Sequence, residues 1–259
     1  MLQGYLNDSG RGHTGAPFVL AGYILPAGQW AAFSEDWKAE CAEKPSIDYF
    51  DFDEAINSAC QFDRWPFDRR RKKTLKLVEV IRKHQLHGLC ATFGSEEWNW
   101  VSSRLAGPVK GQPYAPLLFT FIDTLLEYQR DLGIFPQETQ LDFQEHADWG
   151  RCAIEWYGRM WEDPGQDGFQ GEYRRILKGT PRMLDGKEYV AVQAAGMLAG
   201  AIRLRLGGLL SGLGIHVPNF EWISDELQTD VWCGLGLGRA ICGAVEKQQT
   251  GSPAMLGVQ

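Results

Sequence analysis

Tyr5-Leu6-Asn7-Asp8-Ser9-Gly10-Arg11-Gly12-His13-Thr14-Gly15-Ala16-Pro17-Phe18-Val19-Leu20-Ala21-Gly22-Tyr23 places an apolar run on each side of a glycine-rich loop. Gly4 to Asn7 reads as a short strand, and Ala16 to Leu25 as a second, strongly apolar one. Between them, Asp8 to Gly15 carries the small and polar residues that turns use. The pair therefore predicts an antiparallel hairpin. On pattern alone the loop is a hairpin tip.

Downstream of the hairpin the period changes. From Gly28 to Glu43, Trp30, Phe33, Trp37 and Cys41 recur at steps of three and four, which predicts an amphipathic helix. Tyr49-Phe50-Asp51-Phe52-Asp53 alternates aromatic with acidic and reads as a half-buried strand. Asp68 is the expected N-cap of a helix from Arg69 to Lys83, with Leu75, Val78 and Ile81 as its apolar stripe. The first turns of that helix hold Arg69, Arg70, Arg71, Lys72 and Lys73. Cations at a helix N-terminus oppose the macrodipole, so the run has either a solvated role or an external one, contact with a phosphate backbone.

Leu86 to Phe93 predicts a third strand, and Ser95 caps a short helix carrying Trp98 and Trp100. Pro113-Tyr114 opens a long apolar helix to about Leu132, and Gln140 to Gln144 is a further strand. Trp149 to Trp161 is helical, with Ala153, Trp156, Tyr157 and Met160 on one face. Tyr189 to Leu206 is helical with a small-residue stripe, and a Gly-rich tail becomes helical again from Asp230 to Lys247. The stripe at Val192 to Ala199 and the apolar helix at Trp232 to Val245 offer surfaces for oligomer contacts. A hairpin followed by alternating strands and helices predicts an α/β fold, a mixed sheet flanked by helices.

Composition narrows the function classes. The chain has 259 residues, 44% hydrophobic and 23% charged, which suits a globular domain rather than a disordered one. Its longest apolar tracts are broken by Arg203, Arg205 and Arg239, so no membrane span is expected. No secretory signal is read at the N-terminus. The six cysteines are dispersed and form no Cys-x-x-Cys pair, which favours reduced thiols and a cytoplasmic setting. A net charge of −7 argues against a nucleic-acid coat and leaves a local basic patch open. Gly234-Leu-Gly-Leu-Gly-Arg lacks the Gly-Lys-Ser/Thr ending of a phosphate loop and is expected inside the C-terminal helix.

The order of several features resembles the domain of unknown function 3800 family, whose fold is ribonuclease-H-like. They are Tyr5-Leu6-Asn7-Asp8-Ser9-Gly10, Phe18-Val19-Leu20-Ala21-Gly22-Tyr23, Trp30-x-x-Phe33 with Trp37, Tyr49-Phe50-Asp51-Phe52, Pro113-Tyr114, Phe143-Gln144-Glu145 and Gln193-Ala194-Ala195-Gly196-Met197-Leu198-Ala199. The likeness spans roughly Gly4 to Leu206. It implies a ribonuclease-H-like domain over 1–206, with 207–259 a Gly-rich and helical extension packed on it, its last residues disordered.

Such a fold implies carboxylates from the first strand, a later strand and a late helix around two divalent ions. Mg²⁺ requires hard oxygen ligands in near-octahedral array. The positions matching the family's acids hold Asn7, Gln144 and Gly196. An amide offers one neutral oxygen and glycine none, so the resemblance implies a degenerate site, no bound cofactor and a non-catalytic binding or scaffold role. Family members occur in bacterial and phage settings, which extends the expectation to defence. The alternative is a residual Mg- or Mn-dependent nuclease with Asp8 and Glu145 catalytic and Asp8, Glu145 and Asp142 as ligands. Asp8 would reach the site through a local bulge, and Glu145 through a one-residue slip that in a strand reverses the face. His146 follows at the edge of this set. A protein partner, a homo-oligomer or nucleic acid held by Arg69 to Lys73 completes the expected contacts.

Overall fold

The computed structural model describes residues 1–10, 16–103, 113–145, 149–162, 169–210 and 231–235. Strand β1 (Leu2–Ser9) pairs antiparallel with β2 (Phe18–Pro26), with Tyr5 opposite Tyr23 and Leu6 opposite Gly22. Strand β2 pairs antiparallel with β3 (His87–Phe93). On the other side of β1 lies β4 (Thr139–Gln144), parallel to it, and then the two-residue β5 (Met183–Leu184). Strand β6 (Val231–Leu235) adds parallel to β3, giving the order β5-β4-β1-β2-β3-β6. This is the expected α/β mixed sheet with an N-terminal antiparallel hairpin.

Helices cover both faces, which explains why β2 is a continuous apolar run rather than an alternating one. Val19, Ala21, Tyr23 and Leu25 face a core built from α1 (Trp30–Ala42), α3 (Phe67–Lys83) and α8 (Val190–Leu210). Leu20 and Ile24 face the opposite core, around α5 (Tyr114–Asp131), α6 (Trp149–Glu162) and α7 (Phe169–Ile176). Two shorter helices, α2 (Phe52–Asn57) and α4 (Ser95–Ser102), complete the set described. Helix α1 buries Trp30, Phe33, Trp37 and Cys41, the stripe that the spacing predicts. Fifteen of the eighteen residues of α5 are buried, as expected of a helix enclosed on all sides.

Several expectations are corrected. Tyr49 to Asp53 is not a strand: Asp51 is the N-cap of α2 and accepts a hydrogen bond from the Glu54 N–H at 2.9 Å. That Asp-x-x-Glu spacing matches the capping-box pattern, of which the Asp51 half is formed, and this cap overrides a five-residue alternation. Helix α3 begins two residues before Arg69, with Pro66 at the N-cap and Asp68 in the first turn. The stretch Val231–Leu235 is a strand, not the start of a helix, and α8 runs past Leu206 to Leu210. The rest of the expected C-terminal helix, its glycines beyond Leu235 and the final dozen residues lie outside the described residues. The small-residue stripe of α8 is buried against β1 and β2, with Val192, Ala195 and Ala199 at 0% exposure, so it is no oligomer surface. Cys41, Cys60 and Cys152 are free thiols, whereas Cys90 is disulfide-bonded. No helix among the described residues is long and apolar enough to cross a membrane.

The basic run has two internal duties. The Lys73 ammonium, 3% exposed, donates to the carbonyl oxygens of Glu40, Cys41 and Glu43 at the end of α1. Arg70 reaches the Ala55 and Ile56 carbonyls at the end of α2. Helix C-termini leave carbonyls without partners and carry partial negative charge, so two cations of α3 fasten two other helices. The resolution of the macrodipole conflict is tertiary. For Arg70 and Lys73 the expected role in nucleic-acid contact gives way to capping.

At the far end of α3, Asp36 of α1 bonds Lys83 at 2.8 Å and His84 Nε2 at 2.6 Å. The Lys83 bond, followed by that of His84, holds the Asp36 carboxyl below its ordinary value of 3.8. A depressed carboxylate stabilises the fold above its unfolded pKa, and that contribution fades as pH falls through the folded one. Asp36→Asn is therefore expected to lower the urea midpoint at pH 7. The difference from the wild type should vanish as both are titrated from pH 4 downward.

Candidate functional site

The parallel register of β1 and β4 sets Leu6 beside Phe143, so the next residues, Asn7 and Gln144, emerge together at the strand ends. Helix α8 crosses above them and presents Gly196. A Cβ at that position would stand 2.5 Å from Asn7 Nδ2, so the glycine leaves room for the carboxamide. One turn on, a Cβ at Gly200 would lie 2.1 Å from Phe52 Cδ1, which lets α2 approach equally closely. The result is a cleft walled by two strand ends, the start of α2 and the glycine face of α8.

Two adjoining cavities, of about 300 and about 250 Å³, make up this cleft. Asn7, Asp51, Phe52, Gln144 and Gly196 border both. Tyr49, Glu145, Asp185 and Lys187 complete the first, and Asp8, Ser9, Asp53 and Gly200 the second. The three positions that the sequence marks as degenerate thus converge. Asp8 and Glu145 do not share a cavity.

Asp142 lies outside the cleft lining and is fully buried. Its oxygens accept from the Arg182 Nε and backbone N–H at 3.1 Å, from Gln3 Nε2 at 3.0 Å and from Gln140 Nε2 at 3.3 Å. With the Arg182 guanidinium also paired to it, this carboxylate ties the segment before β5 to the sheet. A metal ion would have to displace that whole set. As a ligand, Asp142 would have to give up these partners. His146 lies outside the described residues.

Hydrogen bonds hold the cleft walls in register. Asn7 Oδ1 accepts from the Asp8 N–H at 2.8 Å, which fixes the carboxamide and turns its Nδ2 toward α8. Gln193, one turn before Gly196, is 5% exposed; its Oε1 accepts from Trp37 Nε1 and from the Phe50 N–H, both at 3.0 Å. Its Nε2 donates to the Lys187 carbonyl at 3.2 Å. One amide therefore joins α8, α1 and both loops of the cleft. Tyr49 donates to Glu54 Oε1 at 2.9 Å, and burial together with that carboxylate pushes its hydroxyl up to about 12. Burial also raises the Asp51 carboxyl, against the N–H bonds that lower it. At the second cavity, Arg203 of α8 donates to Ser9 Oγ and pairs with Asp53, each at 2.7 Å.

Asp51, Lys187, Gln193 and Gly200 line the candidate site and were not singled out for it in the sequence. Asp51 was detectable through its Asp-x-x-Glu N-cap spacing, and Gln193 and Gly200 through helical spacing around Gly196. Lys187 carries no local signal.

The three positions matching the family's acids supply no anionic oxygen to the cleft. Two neutral carboxamides and a glycine stand there, whereas Mg²⁺ or Mn²⁺ chemistry needs anionic oxygens; the carboxylates of the cleft are Asp51 on both cavities, Glu145 and Asp185 on the first and Asp8 and Asp53 on the second. Among the described residues, no group of three or more His, Cys, Asp or Glu side chains could hold a metal ion.

No family model and no curated protein matches the sequence. Among solved structures, the chain is similar to Bst-RNase HIII in complex with Mn²⁺, at 15% identity and a TM-score of 0.41, covering 79% of this chain and 52% of that one. A mutant form of Bst-RNase HIII gives 13% identity and a TM-score of 0.43, with 78% and 52% covered. RNase HII in the PCNA:RNase HII complex from Archaeoglobus fulgidus gives 14% and 0.38, with 88% and 91% covered. The chain spans about half the length of the RNase HIII chains. Likenesses of this degree assign no residue roles; the strand order carries the fold.

Proposed function

We propose that this chain is a ribonuclease-H-like protein whose two-metal site is largely lost and which works as a non-catalytic binding or scaffold protein. The observation behind this reading is the convergence of Asn7, Gln144 and Gly196 on one cleft, at the ends of β1 and β4 beneath α8. At those three positions a divalent ion would find only neutral amide oxygens, and Asn7 Oδ1 already accepts from a backbone N–H; the carboxylates of the cleft, Asp51 among them, stand on its other walls. Asp8 and Glu145 border different cavities, which weakens the reading of a residual nuclease built on both.

A cytoplasmic setting goes with this proposal. The free thiols of Cys41, Cys60 and Cys152 support it, and the disulfide at Cys90 weighs against it. A role in bacterial or phage defence follows from the family resemblance alone.

The test is hydrolysis of labelled RNA, DNA and RNA–DNA hybrids with Mg²⁺ and with Mn²⁺, alongside calorimetric titration of Mn²⁺. The wild type should cleave no faster than Asp8→Ala and bind no stoichiometric metal. Asn7→Asp combined with Gln144→Glu should bind Mn²⁺ at least about tenfold more tightly than the wild type, because ligand charge sets affinity. Metal-dependent cleavage by the wild type, abolished in Asp8→Ala or Glu145→Ala, would instead establish the nuclease.

A further inference from the structure

We propose that a groove between the end of α1 and the first half of α3 holds the phosphodiester backbone of a nucleic-acid strand. The inference rests on reading the chain as a binding protein and names the class of its partner. It also moves the contact away from the linear run Arg69 to Lys73 and onto a different set of cations.

The groove is a cavity of about 370 Å³ where α1 and α3 pack together. Arg69, Lys72, Lys73 and Lys76 line it from α3, and Lys44 and Pro45 from the loop after α1. The α3 residues recur at steps of three and four, so they share one helix face. Arg71 lies about 200° round the helix from Arg69, at about 100° per residue, and is not among the lining. Arg70 is turned to the end of α2. Three members of the run therefore leave the set or serve the fold; Lys76, a turn further along α3, and Lys44, distant in sequence, join it.

Charge accounting inside the groove leaves an excess. Glu40 and Asp68 are the carboxylates that line it, against five cations. Lys73 is committed to the carbonyls of α1 and to Glu40, and Lys76 stands 3.7 Å from the same Glu40. The Arg69 guanidinium lies over the Trp65 ring, 5.3 Å from its centroid. Lys44 and Lys72 make no ion pair among the described residues. Unpaired like charges facing one concavity, on a protein of net charge −7, raise the local potential for anions.

Shape selects the kind of anion. From Arg69 to Lys76 the cations extend about 10 Å along α3, at 1.5 Å per residue, which suits successive phosphates rather than one ion. Lysine stems and Pro45 form apolar walls beneath the ammonium groups, a surface that strand backbone can lie along. The cleft of Asn7 and Gln144 is separate, sharing no lining residue with the groove.

The experiment is fluorescence anisotropy with labelled single-stranded RNA and DNA across a salt series, in EDTA so that no metal contributes. The wild type should bind at low salt. Lys44→Gln combined with Lys72→Gln should weaken binding at least about tenfold and flatten the log–log salt slope by about 1.4, at about 0.7 per phosphate contact. Lys83→Gln combined with Lys178→Gln removes the same charge outside the groove and should leave both quantities unchanged. Absence of wild-type binding, or equal weakening by the two double variants, would overturn the proposal. Displacement of the strand by inorganic tripolyphosphate at matched phosphate concentration would overturn the nucleic-acid assignment. Binding in EDTA stands whether or not the cleft cleaves, so its failure is distinguishable from that of the scaffold reading.

Discussion

Gly22→Ala is expected to destabilise the protein by about 4 kcal/mol or more, a large share of the about 5–15 kcal/mol that holds a domain folded. Gly22 sits opposite Leu6 in the middle of the β1–β2 hairpin. A Cβ there would lie 2.0 Å from the Tyr5 carbonyl oxygen, 2.9 Å from its carbon and 3.0 Å from Leu6 Cα. All three are backbone atoms, so no rotamer change relieves the contact. Strand β1 would have to back away from β2, and β1 also carries Asn7 into the cleft. Urea unfolding beside Gly28→Ala is the measurement. Gly28 has no heavy atom within 4 Å of its would-be Cβ, so its substitution should stay within about 0.5 kcal/mol of the wild type. Equal stability of the two variants would show that the hairpin yields more readily than its geometry implies.

Lys73→Met should lower stability by about 3 kcal/mol. The ammonium satisfies carbonyls at the end of α1, with bonds of 2.9 Å to Glu43 O and 3.3 Å to Cys41 O besides the contact with Glu40 O. Methionine fills similar volume but donates nothing: the Glu40 and Glu43 carbonyls lose the ammonium's bonds, each charged bond worth about 1.5–3 kcal/mol, while the Cys41 carbonyl keeps its bond from the Ile47 N–H. Lys72→Met, one residue earlier and exposed, should change stability by less than about 0.5 kcal/mol. Chemical denaturation separates the two. A Lys72 variant as unstable as the Lys73 one would contradict the division between a lysine that holds the fold and one that faces a ligand.

Where the sequence was legible, the signal was periodic or positional. The α1 stripe of Trp30, Phe33, Trp37 and Cys41 is a core face because steps of three and four leave little alternative. Asn7, Gln144 and Gly196 were marked by motif order, and the parallel register of β1 and β4 brings the first two together. What escaped was decided by tertiary partners. Which of five adjacent cations would cap α1 and α2 depends on where those helices end in space, so Arg70 and Lys73 could not be told from Lys72. Tyr49 to Asp53 favoured a strand by alternation, while one side-chain bond from the Glu54 N–H to Asp51 selected a helix start. Val231–Leu235 is an apolar run too short for periodicity to separate strand from helix, and the open edge of β3 supplied the answer.

That last strand has a consequence for the order in which the molecule can be completed. Strand β3 is finished at Phe93, whereas its outer partner begins at Val231. At ribosomal rates of about 5–20 residues per second, the roughly 140 residues between them take about 7 to 30 s to synthesise. Throughout that interval Gly88 to Thr92 present unpaired backbone groups on a segment whose side chains all end up buried. The nascent chain thus has a waiting edge, open to pairing with another chain until its own C-terminal segment arrives.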